Sequence, residues 1–332
     1  MSPTAARRAP TAALVLALLV VYIVWGSTYL AIALVIETMP PLLSAGVRFV
    51  TAGVLMLGAT LAIRRWRRRN PDRNQEPIRA VHWRTAAIVG VLLLLGGNGG
   101  VVFAEQFIPS GVAAVLVATM PIWLAVLDAL RSRRAPSRLT VLGLVAGIVG
   151  VAVLLAPAEG LGDLDPIGVL LVVGAALSWA IGSLFSRHNP LPRSNALSTG
   201  MEMLAGGAAL LHVGTAIGEI GRTDPSTFTL TSILALGYLM LFGSIAAFSA
   251  YTWLLANAPV TVAGTYAYVN PIVAVVLGAW INAEELTPRT VIAAVLIIGA
   301  VVAMVSGRPR EEEPVAVDPV EARERLGYEA AR

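Results

Sequence analysis

The sequence predicts an all-α integral membrane protein of ten transmembrane helices, arranged as two inverted five-helix repeats. Three observations predict it: the apolar composition, the side on which the arginines fall, and an internal repeat. Of 332 residues, 57% are hydrophobic and only 13% charged, with a mean hydropathy of +0.76. One soluble core cannot enclose that much apolar surface, so lipid must solvate most of it. A hydrocarbon layer about 30 Å thick takes roughly 20 apolar residues per helix. Windows of that length recur along the whole chain, which excludes a soluble domain on a single anchor.

The apolar windows between charged or Pro/Gly-rich breaks place helices at about Ala13 to Ile36, Leu42 to Ile63, Thr85 to Ala104, Val112 to Leu130 and Leu139 to Leu155. A second set follows at Ile167 to Phe185, Asn195 to Ile217, Leu230 to Leu255, Val260 to Ile281 and Pro288 to Val305. Pro288 suits a first helical position, where its missing N–H costs nothing. The first window, after Arg7 and Arg8, resembles a signal peptide but is long enough to span, and is read as the first helix.

Arginine placement tests the count, because basic loops collect on the cytoplasmic side and a miscounted helix would scatter them. Arg7 and Arg8 precede the first helix. Arg64, Arg65, Arg67, Arg68, Arg69, Arg73, Arg79 and Arg84 follow the second, and Arg131, Arg133, Arg134 and Arg138 follow the fourth. Arg187 and Arg193 follow the sixth, and Arg308, Arg310, Arg323, Arg325 and Arg332 the tenth. That puts 21 of 24 on one side, with Arg48 inside the second helix and only Arg222 and Arg289 opposite. Both termini are therefore expected in the cytoplasm of a bacterial inner-membrane protein. The linker Pro157 to Pro166, with Glu159, Asp163 and Asp165, suits the outer face.

All 24 basic residues are arginine, a matter of genome composition rather than of chemistry. The isoelectric point near 9.8 comes from these orienting loops, so no nucleic-acid partner is expected. The absence of cysteine removes disulfides, thiolate nucleophiles and zinc–thiolate sites together. No cofactor or metal is implied.

An offset of 150 aligns Pro109 with Pro259, Val112 with Val262, Ala113 with Ala263, Pro121 with Pro271 and Ile122 with Ile272. It continues through Val126/Val276, Leu127/Leu277, Thr140/Thr290, Val141/Val291 and Val145/Val295. Two prolines with identical spacing are harder to attribute to chance than apolar coincidences. An offset of 154 pairs Trp25 with Trp179 and Arg48 with Glu202. The repeats are read as residues 1–156 and 157–307, followed by a charged, disordered cytoplasmic tail at 308–332. Five helices per repeat is odd, so equivalent loops fall on opposite sides. The charges agree: four arginines between helices four and five, against Glu284 and Glu285 with Arg289 between nine and ten. Inverted repeats are a recurring plan of secondary transporters, which alternate access to a site between the halves.

The residues so far resemble the drug/metabolite transporter superfamily, its EamA family, and within it the YedA-like inner-membrane transporters. The matching segments in the first half are Trp25-Gly26-Ser27-Thr28-Tyr29, Gly46-Val47-Arg48-Phe49 and Pro109-Ser110-Gly111-Val112-Ala113-Ala114. In the second they are Ser178-Trp179-Ala180-Ile181-Gly182-Ser183, Glu202-Met203-Leu204-Ala205, Gly243-Ser244-Ile245 and Tyr266-Ala267-Tyr268-Val269-Asn270-Pro271. The resemblance covers nearly the whole chain. It implies a ten-helix carrier with cytoplasmic termini and a central cavity lined mainly by helices one to four and six to nine. It further implies export of small metabolites, amino acids or drug-like amphiphiles by alternating access. The arginine-rich loop after the second helix and the long tail depart from the pattern.

Arg48 and Glu202 are the sharpest site candidates, because a charge in the apolar layer costs roughly 3 kcal/mol and should meet a cavity or a partner. A structural charge network is the alternative, although straight helices would hold the two on the order of 13 Å apart in depth. Trp25 and Trp179 sit mid-helix beside Ser27 and Ser183, which weakens an interfacial-belt reading and leaves cavity lining against helix packing. Tyr29, Tyr251, Tyr266, Tyr268 and Asn270 offer aromatic faces and hydrogen-bond groups, for a ligand or for neighbouring helices. Asn98, within Gly96-Gly97-Asn98-Gly99-Gly100, either meets the cavity or marks tight packing. Pro121 and Pro271 interrupt the backbone ladder of equivalent helices and are expected as hinges or static kinks. Gly143 and Gly147 suggest a dimer face, so a monomer or weak dimer in lipid is expected. Glu37, Glu105, Glu284 and Asp128 read as hydrated interface residues, with gating of the cavity mouth as the alternative for Glu105.

The rivals are an intramembrane enzyme and a receptor that binds without transporting. An enzyme needs a nucleophile, a metal cluster or paired acids at fixed spacing. There is no HExxH, and His82, His188 and His212 are scattered. A receptor reading lacks a sizeable soluble domain. The partner expected is a small-molecule substrate.

Overall fold

In hydrocarbon the backbone can satisfy its own N–H and C=O groups only within its own segment, so apolar windows become helices. The computed structural model describes residues 10–67, 77–108, 113, 116–155, 165–273 and 288–306. It forms α1 (Thr11–Ile36), α2 (Pro41–Arg67), α3 (Ala80–Ala104), α4 (Met120–Ser132) and α5 (Arg138–Leu155). The second set is α6 (Pro166–His188), α7 (Asn195–Ala216), α8 (Leu230–Asn257), α9 (Val260–Ala263, resuming over 266–273) and α10 (Pro288–Ser306). Among the described residues there is no strand. Five helices, α1, α2, α3, α6 and α8, are long and apolar enough to cross a membrane. Their outer faces are apolar too: Leu16 in α1 is 64% and Leu170 in α6 71% exposed, a surface that water would not tolerate and lipid does.

Several expectations lie outside the described residues: Arg7 and Arg8, the arginines Arg68, Arg69 and Arg73, and the linker residues Glu159 and Asp163. So do Pro109 to Val112, Ala114, Val276, Leu277, Glu284, Glu285 and the tail at 308–332.

Helix ends follow the local chemistry. The Asp165 side chain accepts from the Ile167 N–H at 2.8 Å, with Pro166 in the first turn of α6. Thr229 caps α8 by accepting from the Ser232 N–H at 3.2 Å. The N-terminus of α2 is capped from a distance. Glu219, after α7, accepts from the Leu42 and Leu43 N–H groups at 3.1 and 2.8 Å. Because Pro40 and Pro41 have no N–H and the Ser44 N–H bonds the Pro40 carbonyl, these are the two donors that turn leaves free, and the carboxylate also sits at the positive end of the helix. Arg187, at the end of α6, donates to the Leu255 carbonyl at 3.2 Å and to that of Ala258, covering the C-terminus of α8.

The packing pairs helices that are five apart or symmetrically exchanged. The closest contacts are α2 with α7 and α5 with α10; α1 lies against α8, and α6 against α3. Each pair runs antiparallel. On α2 and α7, Gly46 lies level with Leu211, Val50 with Gly207 and Gly53 with Leu204. On α5 and α10, Gly143 meets Ala300 and Met304 while Gly150 meets Ile297. Glycine lets backbones touch where lipid offers no hydrophobic drive between helices. A Cβ on Gly90 would stand 2.2 Å from the Glu202 carbonyl, and one on Gly206 2.4 Å from the Gly90 carbonyl.

Two expectations are corrected here. Gly143 and Gly147 do not form a free dimer face, since Gly143 packs on α10 and Gly147 on the Tyr268 ring. Pro121 is not in a helix interior: the chain turns at 118–119 and Pro121 occupies the first turn of α4, where no N–H is needed. Pro271 lies within the helical stretch 266–273.

The periodic reading missed a further feature. α3 and α8 each widen into π-helical turns midway, over Val91–Gly99 and Leu239–Phe248. A π segment holds one residue more than the α-helix it replaces, and such segments concentrate at functional sites.

Candidate functional site

The two π segments frame a cavity. It holds about 690 Å³ of space not filled by atoms, part of it continuous with the outside. α1 contributes Trp25, Thr28, Tyr29 and Ile32, and α2 contributes Arg48 and Phe49. Leu94, Gly97, Asn98 and Val101 come from α3, Met120 from the start of α4 and Val117 from just before it. The second half supplies Ala175, Ala176 and Trp179 from α6, Gly243 and Phe248 from α8, and Tyr266 and Asn270 from α9. These positions occupy the part of the bundle nearer the α1–α2 connection. Tyr22 and Thr265 join α1 to α9 at 2.6 Å one turn beyond Trp25 on the other side.

At the floor the aromatic rings interlock. Trp25 lies edge-on to Trp179 at 5.4 Å between centroids and edge-on to Tyr266 at 4.7 Å. Tyr251 lies 5.1 Å from Trp25 and 5.5 Å from Tyr266, and Phe248 sits 6.4 Å from Trp179. Edge-on geometry brings a positive ring edge to a negative face. Trp25 Nε1 donates to the Gly243 carbonyl at 3.1 Å, while Trp179 Nε1 donates to the Tyr251 hydroxyl at 2.9 Å. Tyr251 also shares a 2.6 Å hydrogen bond with Ser183.

The polar side of the wall is sparse. Arg48 Nε donates to Ser244 Oγ at 2.7 Å, and its guanidinium carbon lies 4.4 Å from the centre of the Phe49 ring. The Asn270 amide nitrogen, oriented to donate, reaches the Tyr22 carbonyl at 3.3 Å and that of Tyr266 at 3.0 Å. Asn98 Oδ1 is buried without a partner. A mostly apolar enclosure with a few placed polar groups is the usual form of a small-molecule site.

Of the residues singled out from sequence, the structure brings Trp25, Tyr29, Arg48, Asn98, Trp179, Tyr266 and Asn270 to the cavity wall. Ser183 and Tyr251 stand behind it, in contact with Trp179. Ser27, Tyr268 and Glu202 are elsewhere. Ser27 bonds the Val24 carbonyl and the Tyr238 hydroxyl. Tyr268 reaches the Leu144 carbonyl at 3.4 Å, toward α5. Glu202 on α7 is fully buried, its main chain against Gly90 of α3, with Oε1 accepting from Ser198 at 2.9 Å and Oε2 without a partner among the described residues. No residue of α7 is among the described lining residues, against the expectation for the seventh helix. Glu105 is not a hydrated edge residue, since both its carboxylate oxygens are buried and have no partner among the described residues.

Sequence reasoning missed Phe49, Phe248 and the role of Ser244. The phenylalanines carry no signal that separates them from packing residues. Ser244 became meaningful only once Arg48 was seen to need a partner from another helix.

A multi-pass helical bundle with a largely apolar cavity among its described residues is consistent with a membrane transporter. The chain belongs to the EamA-like transporter family, whose model matches residues 12–156 and again 166–306. It is 39% identical over 293 residues to the uncharacterized inner membrane transporter YedA of Escherichia coli strain K12, covering 88% of this chain and 90% of that protein. It is 26% identical over 306 residues to a probable amino-acid metabolite efflux pump of Salmonella typhimurium, with 88% of this chain and 94% of the relative covered. A solved crystal structure shares the fold at a TM-score of 0.69 and 20% identity, over 89% of this chain and 96% of the other.

Proposed function

We propose that this chain is a ten-span exporter of small metabolites in the bacterial inner membrane, built from inverted repeats at residues 1–156 and 157–307 and working by alternating access. Both termini face the cytoplasm in this reading, the tail at 308–332 lies there, and the working unit is a monomer. The observation that carries it is the antiparallel course of equivalent helices, α2 against α7 and α5 against α10, in a bundle whose cavity is lined by both halves. Two such halves can exchange conformations and so open the cavity to alternate sides. The paired π segments at the cavity support this, with hinging there rather than at Pro121. Export is drawn from the efflux pump among the relatives. With cytoplasmic termini, the cavity lies in the outer half of the bundle, the side from which an exporter releases.

An enzyme would need paired acids or a nucleophile with its base at the cavity. The described lining residues offer no carboxylate and no histidine. The test is flux of preloaded solutes from proteoliposomes of the purified protein. Binding without flux across a metabolite panel would favour the receptor reading instead. Topology is tested separately with single cysteines engineered at Arg134 and Glu285 and labelled in whole cells. Labelling from the same side removes the inverted repeat.

A further inference from the structure

We propose that the cavity selects solutes carrying one organic carboxylate on an apolar or aromatic body, with Arg48 receiving the carboxylate; this rests on the reading of the cavity as the solute site. Arg48 is 4% exposed within α2 and forms part of the cavity wall. A guanidinium stays charged in a protein and is costly in the apolar layer unless something answers its charge. The structure gives it orientation without neutralisation. Ser244 holds Nε at 2.7 Å and the Phe49 ring lies 4.4 Å from the guanidinium carbon. Both partners are uncharged, and no described residue pairs a carboxylate with Arg48. The terminal nitrogens remain. Nη2 stands beside Gly243, where a Cβ would come to 3.3 Å, so the absence of a side chain there keeps that edge of the fork open to the cavity. A carboxylate accepts two parallel N–H donors from such a fork and supplies the missing charge.

The rest of the wall fits the other end of the molecule and sets the sign. Aromatic rings alone would also suit a cation. Here the only formal charge among the described lining residues is that of Arg48; the Glu105 carboxylate acts on Tyr29 but is not among the lining residues. The hydroxyls of Tyr29 and Tyr266 line the same space and have no hydrogen-bond partner among the described residues. Each can donate to an anion. Trp25, Trp179 and Phe248 then offer ring surface to an apolar body.

The experiment compares binding of 3-phenylpropionate, 3-phenylpropionamide, 3-phenylpropylamine and acetate to the purified full chain in nanodiscs, by calorimetry. The expected result is that 3-phenylpropionate binds at least tenfold more tightly than its amide, the amine or acetate, since only it offers both charge and ring. Arg48→Gln is expected to reduce it to the level of the amide, and Ser244→Ala, which frees the fork, to weaken it severalfold. If Arg48→Gln does not fold, the four wild-type affinities and Ser244→Ala decide. Amide or amine binding as tightly as the carboxylate overturns the proposal, as does no binding of 3-phenylpropionate at millimolar concentration. Flux separates it from the underlying reading. Export of the amine but not the carboxylate keeps the transporter and removes this selectivity, whereas selective binding without flux keeps the selectivity and removes the transporter.

Discussion

Trp25 and Trp179 hold matching places in the two halves, yet each is seated differently on the π segment of the other half. Trp25 is tied by a hydrogen bond to the Gly243 carbonyl, 3.1 Å away in α8. Trp179 presses on Gly97 in α3, where a Cβ would come within 2.5 Å of its ring, but turns its N–H to Tyr251 instead. One seat is closed by a directional bond and the other by contact alone. A carrier with two equivalent halves must be asymmetric in any one state, because a symmetric one would open to both sides or neither. If the halves exchange as proposed, Trp179 would bond the Gly97 carbonyl and Trp25 would release Gly243.

That comparison can be broken most directly at the glycines. Gly97→Val should destabilise the protein by about 1–3 kcal/mol through overpacking and cut flux at least tenfold, read by thermal unfolding and by proteoliposome transport. Gly243→Ala should do less, since its Cβ would meet Thr28 Cγ2 at 3.2 Å rather than a ring at 2.5 Å. Equal losses at both sites would show that the seats are equivalent after all. The hydrogen bonds sharpen the comparison next. Tyr251→Phe strands the Trp179 N–H and should cost about 1–3 kcal/mol in the same unfolding measurement. Trp25→Phe removes a donor together with its bond and leaves one carbonyl short, so its polar loss should be about 1 kcal/mol. A distant reference is Glu219→Ala, which uncaps α2 without touching either seat and should cost about 1–2 kcal/mol of stability. It should leave the affinity for 3-phenylpropionate within twofold. The smallest effect is expected from Glu202→Gln, which keeps an acceptor for Ser198 and lies off the cavity wall. A loss of solute affinity beyond twofold there would return Glu202 to the site.

The order of helices was legible because hydropathy acts over whole windows, where single-residue noise averages out. Trp25 and Trp179 were legible as a pair because two large, rare residues at one offset are a stronger signal than many apolar matches. The π segments were not, because one extra residue leaves the local hydropathy unchanged. Arg48 and Glu202 look alike in sequence, each a charge in an apolar run. They part in the structure because α2 and α7 cross antiparallel, with Val50 level with Gly207. That crossing sends Arg48 to the cavity wall beside α8 and Glu202 to the α3 contact. Tyr268 was read with Tyr266, but two residues along a helix point to different sides.

The glycine contacts of α7 have an evolutionary reach. Where Gly90, Gly53 and Gly206 bring main chain against main chain, there is no side chain left to shorten, so that seam cannot be loosened by small steps. Descendants that acquire new cargo would accordingly vary the positions on α1, α6 and α8 that face the hollow, and inherit the α2–α3–α7 slab unaltered.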